Sequence, residues 1–87
     1  MTEHQLRLRT EAFEATMRGE RSAEHRWAGD RAFSVGDVVV IEEQTKQGEP
    51  TGRVLRRVIA RVDLGPDFGI RIDYCLLHLV EEEPHAP

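Results

Sequence analysis

The chain has 87 residues, of which 39% are hydrophobic and 32% charged, and a formal charge of −4. This length predicts one domain with a small core. The negative charge argues against a protein that coats nucleic acid without selectivity. No apolar run approaches the roughly 20 residues that span a bilayer, and the first residues lack a signal-peptide pattern. The lone cysteine, Cys75, cannot form an internal disulfide, so we expect a cytoplasmic protein in which this thiol packs in the core.

The first predicted elements are a short strand and a helix. Residues 5–9 alternate leucine with arginine and predict a strand. Thr10 is the expected N-cap of the helix, because apolar residues follow it at helical spacing. Gly19 is the expected C-cap. The pattern therefore places a helix over about residues 11–18.

The second predicted strand, residues 21–27, carries an informative group of polar side chains. Ser22, Glu24 and Arg26 are spaced two residues apart, so all three point to one face of the strand. Trp27 points to the opposite face. A hydroxyl, a carboxylate and a guanidinium aligned beside a helix end can hold a base, a nucleotide or a similar flat polar ligand.

The remaining pattern predicts three longer strands separated by turns. A run of β-branched residues suits a strand covered on both sides, as in a closed barrel. The apolar residues of the next strand fall on both faces, which indicates either a bulge or a strand that is partly covered on both sides. The expected strands cover residues 38–41, 53–63 and 70–80, with a turn at 28–31, a long hairpin loop at 44–52 and a loop at 64–69.

Five or six strands with one main helix predict an α+β domain, a small β-barrel with the helix packed against it. We expect this single domain to cover residues 1–80. Residues 81–87 are rich in acids and proline, and we expect them to form a disordered acidic tail.

Three short motifs resemble those of a known group of proteins. They are Gly19-Glu20-Arg21-Ser22-Ala23-Glu24-His25-Arg26, then Phe33-Ser34-Val35-Gly36-Asp37, and Thr51-Gly52-Arg53 in the hairpin. Over residues 4–80 the chain resembles the PUA-like superfamily, near the ASCH domains, and looks closest to a small bacterial and phage family of uncharacterised single-domain proteins. The resemblance implies a five- to six-stranded β-barrel with a cleft beside the first helix. It also implies RNA binding or recognition of a modified base.

We therefore expect a binding module for RNA or a modified nucleotide. Its expected nucleotide-binding residues are Arg21, Ser22, Glu24, Arg26 and Trp27. Glu24 would accept a hydrogen bond from an exocyclic amine, and Arg26 would donate to a carbonyl or a phosphate. The alternative for Glu24 and Arg26 is an ion pair that only stabilises the barrel mouth. For Trp27 the alternative to base stacking is partial core packing.

Two other functions stay open. One branch of the ASCH domains, which this chain resembles, removes acyl groups from cytidine with the help of a lysine and a threonine. This chain carries Arg21 and Glu24 at those two positions. Because a guanidinium keeps its proton, we expect this amidohydrolase activity to be absent or very slow. A protein-interaction module is the third possibility. The histidines lack ligand spacing, so we expect no metal and no cofactor.

Overall fold

The computed structural model describes residues 2–28 and 32–82. In these ranges the chain forms five strands, one α-helix and one 3-10 turn. In chain order they are β1 (Glu3–Arg9), α1 (Thr10–Met17), β2 (Ala23–Trp27), β3 (Val38–Gln44), β4 (Pro50–Leu64), the 3-10 turn (Asp67–Gly69) and β5 (Tyr74–Glu81).

The five strands form one sheet in the order β1-β3-β4-β5-β2, curled into a half-barrel. β1 runs parallel to β3, and every other neighbouring pair is antiparallel. The two strands that flank α1 in the chain, β1 and β2, are therefore the two edges of the sheet. The structure confirms a small α+β fold with one helix, and it shows a half-barrel rather than a closed barrel.

The core lies between α1 and the inner face of the sheet. Strand alternation sends every second side chain inward, as in β1, where Leu6 and Leu8 are buried and their neighbours exposed. Each large apolar side chain that is buried fully contributes roughly 1.5–3 kcal/mol. The buried cluster consists of Leu6, Leu8, Phe13, Val39, Ile41, Ile59, Cys75, Leu77 and Leu79.

Cys75 is fully buried in this cluster, as the sequence predicted. Burial raises the pKa of its thiol. A thiol that is shielded from water and held protonated is a poor nucleophile, so Cys75 acts as a small packing residue.

The end of α1 follows the predicted pattern, and its start does not. Gly19 has a φ of +78°, and its N–H donates to the Thr16 carbonyl while the N–H of Glu20 donates to Ala15. These two bonds form a Schellman motif, which explains why a glycine ends the helix. The prediction of Thr10 as N-cap is wrong. Thr10 is the first helical residue, and the capping residue before it makes no side-chain cap.

The strand predictions from residue 38 onward hold with changed boundaries. β3 and β4 extend toward each other and shorten the predicted hairpin loop to a turn. The register of β4 against β5 shifts between Ile59 and Arg61, which confirms the predicted bulge. The last strand begins at Tyr74 and not at residue 70, because a turn at Ile72 and Asp73, closed by the Tyr74 N–H donating to the Arg71 carbonyl at 3.0 Å, completes the β4–β5 connection.

Two predicted segments fall largely outside the described residues. Of the turn predicted at 28–31, Ala28 lies within the described residues and the other three residues do not. Of the predicted acidic tail, Glu81 belongs to β5 and Glu82 pairs with Arg56 at 3.3 Å, so these two residues extend the fold. Residues 83–87 lie outside the described ranges.

Candidate functional site

The predicted polar group on β2 lies on the inner face of the sheet. Glu24 is directly opposite Leu77 and Arg26 opposite Cys75, and directly opposed residues share a face. Both partners belong to the buried core. Glu24 is accordingly only 2% exposed, which is rare for a glutamate.

Two arginines flank the Glu24 carboxylate. The Arg21 Nη2 atom lies 2.9 Å from Oε1, and the Arg26 Nη2 atom lies 3.2 Å from Oε2. These distances make two ion pairs, but the guanidinium N–H bonds do not point at the carboxylate. Among the described residues, neither Glu24 oxygen has a hydrogen-bond donor. A buried acceptor left in this state costs about 1–3 kcal/mol.

This trio of Arg21, Glu24 and Arg26, here called the seam cluster, lies where the two sheet edges approach each other. Arg26 is on the edge strand β2, and its Nη2 reaches the backbone carbonyl of Arg7 on β1 at 3.4 Å. This long hydrogen bond crosses the open side of the half-barrel. Both guanidiniums are partly exposed, so a ligand can reach Glu24 by displacing them.

The end of α1 sets the position of the seam cluster. After the turn at Gly19, the Arg21 N–H donates to the Ala15 carbonyl at 3.2 Å, and the Ser22 carbonyl accepts from the Leu79 N–H at 2.7 Å. These two bonds fix where β2 begins. Over the motif from Gly19 to Arg26, the chain therefore leaves the helix and enters the edge strand β2, with the Glu24 side chain on the inner face of the sheet.

The other two predicted site residues lie apart from this trio. Ser22 is exposed and precedes β2. Trp27 is opposite Tyr74 on the outer face and is 52% exposed. Trp27 does not share the inner face with Glu24, so one mononucleotide at the seam cluster could not also stack on it without reaching around the strand. A nucleotide-binding role for these two residues stays a prediction.

A second buried acid, Glu43, was not predicted from the sequence. Arg53 donates to both of its carboxylate oxygens, from Nε at 2.8 Å and from Nη2 at 2.8 Å. The Thr51 hydroxyl donates a third hydrogen bond. Led by the Arg53 bonds, these donors lower the pKa of Glu43 from 4.5 to about 2.

The hairpin motif Thr51-Gly52-Arg53 thus has a structural role, because two of its side chains hold Glu43. The sequence does contain a signal for this contact, because Thr51 and Arg53 are two residues apart and follow Glu43 across a hairpin. Without the strand register, this pattern looks the same as ordinary charged residues on a surface. Arg53 also pairs with Glu14 of α1 at 3.3 Å, which ties the hairpin to the helix.

The Phe33–Asp37 motif is also structural in its observed contacts. The Asp37 carboxylate accepts from the backbone N–H groups of Thr2 and Ser34, at 3.1 Å each. Its Oδ2 lies 2.9 Å from His4 Nε2. The His4 contact, followed by the Thr2 bond, holds the pKa of Asp37 below its usual value. Asp37 therefore fastens the start of β1 to the loop that precedes β3.

A pocket of about 200 Å³ lies between β1 and the β3–β4 hairpin. It is lined by Arg7, Glu42, Glu43, Gln44, Gly48 and Pro50. The buried acid in this lining already has its hydrogen bonds satisfied, so the pocket offers a ligand little unmet polar chemistry. The seam cluster is the better candidate site because its buried acid has none.

Within residues 2–28 and 32–82, no group of three or more histidine, cysteine or acidic side chains is arranged to hold a metal ion. The same part of the chain contains no helix that is long and apolar enough to cross a membrane.

Fold and site together define the class: a small α+β half-barrel with a buried glutamate between two arginines at its open side. Residues 3–79 match the family described as a domain of unknown function, DUF3850, and the chain belongs to this family. No curated protein matches the chain.

Proposed function

We propose that this protein is a binding module for a nucleotide, free or within RNA, and that the seam cluster is its binding site. One observation carries the proposal: the Glu24 carboxylate is buried beside two arginines, yet neither oxygen receives a hydrogen bond from the part of the chain that the structure describes. A ligand that donates hydrogen bonds to Glu24 removes the free-energy cost of leaving these buried acceptors without donors, and this favours binding. A buried acid whose hydrogen bonds are already made in the free protein gives no such gain.

The charge of the seam cluster favours an anionic ligand with an amine. Two guanidiniums and one carboxylate leave one net positive charge. The guanidinium forks suit a phosphate or a base carbonyl, and Glu24 suits an exocyclic amine. A cytosine- or adenine-type nucleotide combines these groups.

The proposed binding is weak and selective. Outside the three acids at 81–83, 13 acids face 12 bases, so the body of the protein is almost neutral. Such a protein releases few counterions when it binds a phosphate chain, and its affinity should fall only gently with salt.

The resemblance to PUA-like and ASCH domains supports the same proposal. A curled sheet of five strands and one helix, with a polar site near the helix end, are compatible with that superfamily, whose members bind RNA or modified bases. We include membership of this superfamily in the proposal. Hydrolysis of acylated cytidine is not proposed, because the guanidinium of Arg21 cannot shuttle a proton. Release of cytidine from N4-acetylcytidine at more than about 1 per second would reverse this choice.

The test is a titration of nucleosides, nucleoside monophosphates and short RNA, followed by backbone amide NMR shifts. We expect shifts confined to residues around the seam cluster and a shallow dependence on salt. Arg26→Ala should weaken binding by about 1–3 kcal/mol, or roughly 5- to 150-fold, because it removes a fork donor. The matched control is Arg61→Ala, since Arg61 forms a comparable ion pair with Asp63 at 2.8 Å away from the seam.

Two outcomes would contradict the proposal. One is full affinity in Arg26→Ala. The other is tight binding to any oligonucleotide with a steep salt dependence, which would indicate a nonspecific charge interaction instead of a built site.

A further inference from the structure

A second surface lies at the end of the half-barrel formed by the β4–β5 connection and the adjoining end of β2. Here three large hydrophobic side chains face solvent: Phe68 at 76% exposure, Ile72 at 67% and Trp27 at 52%. We call this surface the loop face and define it by Trp27, Asp67, Phe68, Arg71, Ile72 and Asp73. Several exposed large hydrophobic groups near one another mark a site of interaction more often than single ones do.

Backbone hydrogen bonds hold the loop face in shape. The Gly65 N–H donates to the Tyr74 carbonyl at 2.9 Å, and the Ile70 N–H donates to Asp67 at 3.0 Å. The Ala28 N–H donates to the Asp73 carbonyl at 2.8 Å, which joins the loop to the end of β2. Ile70 is buried and anchors the connection. A surface fixed in this way loses little conformational entropy when it binds a partner.

Phe68 has an unusual conformation for an exposed aromatic residue. Its φ of +57° lies in the left-handed region, which costs a bulky residue about 1–2 kcal/mol. The Arg61 guanidinium lies over its ring, 5.6 Å from the centroid, but the side chain is still largely exposed, so contacts within this chain offset little of that cost. A binding partner that covers the Phe68 ring would offset this conformational cost.

The charges of the loop face favour a protein over a nucleic acid. Arg71 lies over the Tyr74 ring, 5.3 Å from its centroid, and has no acidic partner among the described residues. Asp67 and Asp73 are exposed and have no cationic partner there either. Arg61 lies 5.6 Å from the centroid of the Phe68 ring, but its charge is balanced by Asp63 at 2.8 Å. With Arg71 against Asp67 and Asp73, the surface is net negative, which disfavours a phosphate chain.

We propose that the loop face binds a second copy of this chain in a twofold symmetric dimer. A twofold axis brings the same surface of both copies together, so Arg71 of each copy can meet an acid of the other. Phe68, Ile72 and Trp27 then form the apolar centre. Tryptophan and arginine are also the residue types that dominate binding energy at protein interfaces.

Sedimentation velocity of the whole chain over a range of concentrations tests this proposal. We expect a concentration-dependent dimer. Phe68→Ser and Ile72→Asp should each weaken it at least tenfold, because they remove the apolar centre. The matched control is Val35→Asp, which changes a β-branched residue of the same 67% exposure on another loop, and it should leave the dimer unchanged.

A charge variant tests the pairing across the axis. Arg71→Asp puts three acids on each copy and should weaken the dimer at least tenfold, whereas Arg71→Lys should retain most of it. The melting temperature of every variant, measured by circular dichroism, verifies that the fold is intact.

Three results would overturn the dimer. They are a wild-type protein that stays monomeric up to about 1 mM, a Phe68→Ser variant that dimerises like the wild type, and a monomer whose residues 66–74 shift when single-stranded RNA is added. The last result would identify RNA as the occupant of the loop face. The first two measurements do not involve the seam cluster. In the third, RNA bound at the seam cluster would shift residues 21–26 and not residues 66–74, so failure of the dimer leaves the proposed nucleotide binding to its own test.

Discussion

Two glutamates on the inner face of the same sheet are buried to nearly the same degree, with 2% exposure for Glu24 and 3% for Glu43. Each has arginine beside it. Glu43 receives three hydrogen bonds from the described residues, two of them from Arg53. Glu24 receives none from the described residues, although two guanidinium nitrogens lie within 3.2 Å.

The comparison shows that burial beside an opposite charge does not by itself identify a role. A fully bonded acid such as Glu43 contributes to the fold, because breaking its network would leave a charge buried without donors. An acid that keeps unused acceptors, as Glu24 does, can contribute to binding. Hydrogen-bond satisfaction separates the two roles where distance and exposure do not.

The largest effect we expect is a difference in melting temperature between variants of Arg53, the partner of Glu43, and Arg26, a partner of Glu24. Arg53→Ala removes both guanidinium bonds from Glu43 and should lower the melting temperature by about 10 °C or more. Arg26→Ala should lower it by less than half as much, because Arg21 stays beside Glu24 and the only other bond that Arg26 loses among the described residues is the 3.4 Å contact to β1. Thermal unfolding followed by circular dichroism measures both. Equal losses in the two variants would show that Glu24 is as structural as Glu43.

A smaller effect concerns acid. Because the pKa of Glu43 is lowered to about 2 in the folded state from 4.5, this group stabilises the fold fully above about pH 4.5. The contribution is lost as the pH falls from there toward 2. The difference in melting temperature between the wild type and Glu43→Gln should therefore be largest near neutral pH and shrink below pH 4.5.

The control for the acid experiment is Glu49→Gln, which changes an exposed glutamate in the same hairpin and keeps Glu43. This variant should retain the acid-dependent contribution of Glu43. A difference between wild type and Glu43→Gln that stays constant from pH 7 to pH 2 would show that Glu43 acts through packing and not through its charge.

The smallest effect is expected for Arg7→Ala. Its side chain forms an exposed ion pair with Glu42 at 3.8 Å, and such pairs contribute little. We expect the melting temperature to change by less than about 3 °C. Nucleotide affinity should not change, because Arg26 contacts the backbone carbonyl of residue 7, which alanine keeps. A loss of affinity like that in Arg26→Ala would mean that the Arg7 side chain belongs to the site.

Local sequence determined the parts of this protein that depend on neighbouring residues. The helix ends at Gly19 because a left-handed residue is needed there. Alternation alone puts Glu24 and Arg26 on one strand face. The start of the helix was mispredicted because β1 runs directly into α1, so that Arg9 stands at the cap position and Thr10 is already helical.

The tertiary structure decided which strand face is covered and which residues meet across the sheet. Alternation gives two faces but does not say which one packs against α1, so the sequence left open whether Glu24 is buried or exposed. The contact between Arg26 and β1 exists only because the sheet curls until its two edges approach. The partners of Glu43 come together through the β3–β4 register and the packing of the helix. These are long-range pairings, and no local pattern encodes them.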